Sequence, residues 1–339
     1  MNRPALIAPS LSQHQRLGWG LVAVILLTLL AGLCAGPEGW SLTAWRSPTV
    51  DEPSILFEIR APRALGTALT GALFGLAGAL AQGLFRNPLA DPFLLGSASG
   101  ASLGVVMVLA ASTVLGSATA AGWMAELGLV GGAFVGALAG VSLTLLLSRG
   151  AEHSTRLLLA GVVVGVVLGA LNDLITLMAP DALRGRQAFG LGSTSFFGWT
   201  AVALLALSLS LTLPLAWRFA RVLDALSLGE DSATSLGLDL PRLRAALVGI
   251  LALATGAAVA QAGLIAFVGL VCPHLVRRFA HGAHGFVLLA SAGMGAALLL
   301  VADLAARTLI APQELPVGVL TAVLGGFYLL GLMHRRGVS

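Results

Sequence analysis

Long apolar runs separated by short polar breaks set the pattern of this chain. The runs cover about 17–35, 65–85, 93–115, 124–147, 157–178, 196–217, 245–263, 265–276, 286–306 and 317–332. Most approach the 20 or so residues that a helix needs to cross a hydrocarbon core. The first run is too long for the apolar core of a signal peptide and has no clear small-residue cleavage site, so it reads as a retained span. The seventh and eighth runs are nearly fused, and arginine decides between one crossing and two. With ten crossings and a cytoplasmic N-terminus, Arg3, Arg16, Arg86, Arg149, Arg156, Arg218, Arg221, Arg242, Arg244, Arg277, Arg278, Arg335 and Arg336 fall inside. Only Arg46, Arg60, Arg63, Arg184, Arg186 and Arg307 fall outside, the bias that cytoplasmic loops carry. A single crossing over 245–276 would move Arg277, Arg278, Arg335 and Arg336 outside. The sequence therefore predicts an all-α polytopic membrane protein of ten transmembrane helices with both termini cytoplasmic. Residues 1–16 are a cytoplasmic tail, and 17–336 form one transmembrane domain.

Composition supports this class. Of 339 residues, 57% are hydrophobic and only 10% charged, with a mean hydropathy of +0.94. A soluble domain carries about 25% charged residues. The 43 glycines suit helices that approach closely in lipid. All 19 basic residues are arginine. The lysine-bearing phosphate loop of nucleotide-binding proteins is therefore absent, and ATP, if used, is bound by another chain. The scatter of arginines at span ends fits topology better than a nucleic-acid patch. Cys34 and Cys272 lie in separate apolar runs and read as small packing residues.

The polar residues then stand out. FRNPLADPFLLG, at 85–96, breaks the second run from the third, with Pro88 and Pro92 stopping the helix. RVLDALSLGEDSATSLGLDLPRLR, at about 221–244, is too polar to cross. Its Leu223, Leu226, Leu228, Ala233 and Leu236 mark an apolar stripe that Gly229 and Gly237 divide into two short helices. Such a pair could dock in a groove on a partner or lie flat on the lipid interface. Within the runs, Gln82, Asn172, Asp173, Gln261 and Asp303 are the notable polar groups, and ionisable groups at depth face a cavity or a partner. Asp303 lies four residues before Arg307, so the two are expected to pair. The histidines (His14, His153, His274, His281, His284 and His334) all fall at predicted cytoplasmic ends, and none has the companions of a metal site. A short echo links GALAQGLFRNPLADP to GAAVAQAGLIAFVGLVCPHL, the pattern of an inverted repeat or of chance in Ala/Gly-rich sequence.

LGEDSATSLGLDLPRLR is similar to the coupling loop of the bacterial iron-siderophore, heme and vitamin B12 permeases, the FecCD-type subunits of type II ABC importers. RAPRAL, GALAQGLFRNPLADPFLLGSASGASLG, STRLLLAGVVVG, IAFVGLVCPHLVRR and LLVADLAARTLIAPQELPVGVLTAVLG follow in the family's order, from about 16 to 335. The resemblance implies a homodimeric permease of ten helices per subunit in the bacterial inner membrane. It implies two cytoplasmic ATPase subunits, which bind ATP-Mg, and a periplasmic substrate-binding protein, with no cofactor, metal or catalytic residue on this chain. It further implies that Arg60, Arg63 and Arg307 meet carboxylates of the binding protein. Leu226, Leu228, Gly229, Glu230, Ala233, Leu236 and Gly237 would couple to the ATPase. Asn87, Leu89, Ser154 and Thr155 would form the cytoplasmic gate, with Asn172 and Asp173 bordering the pathway. Ser154 is equally a helix cap, and Asn172 equally an interhelical bond. In the outer segment DALRGRQAFGLGSTSF, Phe189, Gly190 and Leu191 depart from the family pattern, and Arg184 and Arg186 could attract an anionic chelate. The cargo would be heme, a ferric siderophore or cobalamin. A secondary transporter driven by an ion gradient is the rival reading, for which Asp173 and Asp303 are the only deep carboxylates.

Overall fold

A computed structural model describes residues 12–36, 39–40, 52–115, 123–148 and 154–336. Arg3, Arg46, Arg149 and His153 lie outside the described residues, as does the side chain of Ser154. Among the described residues the elements are helices, apart from a two-residue strand pairing, Ala35–Gly36 with Gly39–Trp40. The helices are α1 (Gln13–Cys34), α2 (Ala61–Phe85), α3 (Ser97–Leu115), α4 (Trp123–Leu147) and α5 (Ser154–Met178). They continue as α6 (Ala182–Leu191), α7 (Trp199–Arg218), α8 (Ala220–Ser227), α9 (Glu230–Ser235) and α10 (Leu240–Ala262). The last are α11 (Val268–Phe279), α12 (His284–Thr308) and α13 (Val317–Arg336).

Each of the ten apolar runs is helical. Seven stretches, in α1, α2 with its lead-in, α4, α5, α7, α10 and α12, are long and apolar enough to cross a membrane. Ser97–Ser112 and Val317–Leu332 are shorter apolar helices, and α11 has 12 residues. Helix α1 starts four residues before the predicted span because Ser12 and Gln15 form a reciprocal capping box. A π turn, Leu56–Arg60, precedes α2, and its wider register accommodates the ring and the missing N–H of Pro62 near the start of the helix. The third run starts with a 3₁₀ turn, Pro92–Leu95, capped by Asp91. Gly96 at φ 79° then lets the chain turn into α3.

Helix α2 is the central post, buried along most of its length, whereas α1 is peripheral. Glycine makes that burial possible. A Cβ on Gly71 would overlap the carbonyl of Gly295, on Gly75 that of Ser291, and on Gly78 that of Gly269. Backbones in van der Waals contact supply dispersion energy that lipid cannot replace. Helix α2 packs on α12, and α10 packs on α4. That exchange, second span with ninth and seventh with fourth, is what an inverted repeat requires. The chain also breaks after α2, at Pro92–Leu95, and after α10, at Phe267, and Pro92 packs against Gly269 where the two breaks meet.

Candidate functional site

The predicted functional residues fall at three levels. At the outer level, four charges cluster, with Arg63, Asp303 and Arg307 buried and Glu314 exposed at the edge. Asp303, fully buried, accepts at Oδ1 from Arg63 Nε (3.1 Å), Arg63 Nη2 (3.0 Å) and Thr194 Oγ1 (2.6 Å). Its Oδ2 lies 2.7 Å from Arg307 Nη2, an ion pair rather than an aligned hydrogen bond. Arg63 Nη1 also reaches Glu314 (2.9 Å), whose other contact is a bond donated by Ser195 Oγ (2.9 Å). Two cations face two carboxylates, so the cluster is neutral and each burial cost is offset by a partner. The expected Asp303–Arg307 pair is present. Arg63 and Arg307, expected as docking cations, are only 7% and 4% exposed, and both point inward to Asp303. Arg60 is half-buried and donates to the Leu33 carbonyl (3.0 Å), not to Glu58. Thr194, Ser195 and Glu314 were not selected from the sequence. Their partners are over 100 residues away, and no local spacing marks them.

At the middle level, Asn172 is buried and donates from Nδ2 to Ser102 Oγ (2.8 Å), joining α5 to α3. Its Oδ1 is buried without a hydrogen-bond partner. Asp173 points away, exposed, and pairs with Arg186 of α6 (2.6 Å). Arg186 also donates to Thr176 Oγ1 (3.3 Å). The two adjacent polar residues are thus divided, one on an interhelical bond and one on a surface pair. Arg184 is exposed, with no ion pair among the described residues.

At the inner level, the coupling segment forms the two predicted short helices, α8 and α9. The single apolar stripe is corrected. Leu223, Leu226 and Ala233 are buried against the bundle, whereas Leu228 and Leu236 are 69% and 66% exposed. The stripe divides because Gly229 (φ 114°) and Gly237 (φ 80°) turn the chain immediately after Leu228 and Leu236, at the ends of α8 and α9. The segment is fastened at both ends. Glu230, at the N-terminus of α9, pairs with fully buried Arg244 of α10 (2.6 Å). Asp224 accepts from the His284 backbone N–H (2.9 Å) and contacts its ring Nδ1 (2.7 Å), capping α12. Beside it, α2 ends with Arg86 in the left-handed conformation. Asn87 Oδ1 accepts from Leu89 N–H (2.9 Å), and both residues are exposed. Gln82 donates to the Leu270 carbonyl (3.0 Å) and accepts from Arg277. Thr155 is exposed at the start of α5, with Ser154 before it. Among the described residues no cluster of histidine, cysteine or carboxylate could hold a metal ion.

A bundle with a central glycine-rich post, helix breaks that meet and a fastened inner helix pair is the architecture on which the comparisons bear. The FecCD transport family profile matches residues 22–335, and the chain belongs to that family. The hemin transport system permease protein HmuU of Yersinia pestis is 40% identical over 320 residues, 92% of this chain and 94% of the relative. The vitamin B12 import system permease protein BtuC of Shigella boydii serotype 18 is 36% identical, over 96% of this chain and 98% of the relative. A solved metal-chelate type ABC transporter in an inward-facing conformation superposes with a TM-score of 0.83 at 25% identity, covering 94% of this chain and 99% of that one. The chain is thus a transport subunit of the FecCD family, similar to permeases named for hemin and for vitamin B12 and to a metal-chelate type ABC transporter.

Proposed function

We propose that two copies of this chain form the pore of an importer in the bacterial inner membrane. ATP-Mg is hydrolysed on two separate subunits below, and a periplasmic binding protein delivers the cargo above. Each copy crosses the membrane ten times with both termini cytoplasmic. Hemin is the first cargo to test, since the relative named for hemin is 40% identical, and cobalamin and ferric siderophores follow. The observation that carries the reading is the inner helix pair. Leu228 and Leu236 project from a loop tied to α10 by Glu230–Arg244 and to α12 by Asp224–His284. A partner that grips those leucines moves the long helices with them.

The apolar outer faces of α5 (Val163, Val166) and α13 (Phe327, Leu330) support pairing of two copies. The pathway then runs between them past Asn172 and Asp173, and Arg184 meets an anionic chelate at the outer mouth. Arg60 is the docking cation for a carboxylate of the binding protein, while Arg63 and Arg307 shape the surface by holding Asp303. Asn87, Leu89, Ser154 and Thr155 form the inner gate. The Asn87–Leu89 bond pins that loop, so Asn87→Ala raises passive leak in proteoliposomes while leaving thermal unfolding unchanged. The reading is tested by ATPase stimulation in the reconstituted complex. One loaded binding protein among hemin, cobalamin and ferric siderophore carriers should accelerate hydrolysis, and stimulation by none of them contradicts it.

A further inference from the structure

The outer cluster around Asp303 is balanced, but the cations at an inner cleft are not. A cleft of about 590 Å³ lies between the end of α2, the α8–α9 turn, α11 and the start of α12. Gln82, Arg86, Asn87, Gly229, Arg277 and His284 line it. Arg86 is exposed and has no ion pair among the described residues. Arg277 donates to Gln82, a neutral amide. The one carboxylate at the edge, Asp224, bonds the backbone and ring of His284. Helices α2 and α11 turn their C-termini toward these arginines, and each terminus offers only about half a negative charge. The N-terminus of α12 returns about half a positive charge. Two full cations therefore face a deficit of anions in a concave, partly dry site, where charge interactions are strengthened.

We propose that this cleft seats an acidic side chain of the ATPase subunit, with Arg86 as the principal contact. The inference rests on the importer reading and names the partner chemistry of its inner surface. The cleft opens beside Leu228, 69% exposed, so a partner seated on that leucine already reaches it. Gly229, at φ 114°, has no side chain to cover Arg86, whose Nη1 lies 4.0 Å from where a Cβ on Gly229 would stand. A guanidinium presents a fork of donors that matches a carboxylate in two parallel bonds. Leucine then supplies apolar contact and arginine supplies register.

The test uses the full permease in nanodiscs of neutral lipid and measures its affinity for the ATPase. Arg86→Glu should weaken association at least tenfold, in line with loss of an interfacial charge pair. Arg86→Lys, which keeps the charge but loses the two-bond fork, should bind more weakly than wild type and more tightly than Arg86→Glu. The salt dependence of the wild-type complex should flatten in Arg86→Glu. An acidic-to-arginine substitution on the ATPase should restore binding to Arg86→Glu. Should Arg86→Glu fail to fold, Arg86→Gln, which removes the charge without reversing it, replaces it. Wild-type affinity in the charge variants overturns the proposal. So does a deficit seen only in anionic bilayers, which would make a lipid headgroup the occupant. ATP-driven uptake by the wild-type complex is scored separately, so failure of the importer reading is distinguished from failure of this contact.

Discussion

Asp303 carries the most interactions of any single residue here, and its removal has a definite consequence. Asp303→Asn would leave Arg63 and Arg307 buried with one counter-charge instead of two. Breaking a buried pair costs about 3–5 kcal/mol, so the variant should unfold at clearly lower temperature in detergent. Asp91 gives a pH effect. Burial pushes its carboxyl up from 3.8 to about 6, against the Phe93 N–H that favours the charged form. The folded state thus holds the Asp91 proton more tightly than the unfolded state. Stability from this residue is fully present below pH 4, declines through that window, and is lost above about pH 6. Asp91→Asn should flatten that part of the stability–pH curve. At this scale the sequence was partly legible. The four-residue spacing announced Asp303–Arg307, but Arg63 and Glu314 reach the cluster across more than 200 residues of chain and carry no such mark. The resemblance implied three docking arginines outside, and a single sequence does not reveal which cations are already neutralised.

Elements were easier to read. Hydropathy and arginine bias located every long helix and separated α10 from α11, because length and charge follow from the bilayer itself. The boundaries moved where local chemistry intervened, at the Ser12 capping box and the Gly96 turn. The coupling stripe was misread because a helical period assumes one continuous helix, whereas the glycine turns after Leu228 and Leu236 carry both outward. This gives a paired prediction. Leu226→Asp, on the buried side, should abolish folded protein, while Leu228→Asp, on the exposed side, should fold normally and lose ATPase binding in pull-down. The post of the bundle yields a second pair. Gly75→Ala forces α2 off the Ser291 backbone and should cost about 3 kcal/mol by overpacking. Gly249→Ala, with open space around it, should be neutral or add up to about 1 kcal/mol of helix stability. Thermal unfolding in one detergent compares the two.

At the scale of the molecule, the helices pack around the α2 post, with a neutral charge cluster at one end and a cleft lined by Arg86 and Arg277 at the other. On the proposed reading such a body would pass force inward from its inner helix pair, while the sequence carries no lysine-bearing nucleotide loop with which to generate it. The rival, an ion-driven carrier, needs a carboxylate free to bind and release an ion. Asp303 is held by two arginines and a threonine, and Asp173 by Arg186. The most direct measurement is cargo uptake into proteoliposomes holding this chain with and without the ATPase subunits. ATP-dependent accumulation of the chelate, abolished when the ATPase is omitted and indifferent to proton or sodium gradients, is the result predicted. Accumulation by the permease alone under an ion gradient would contradict it.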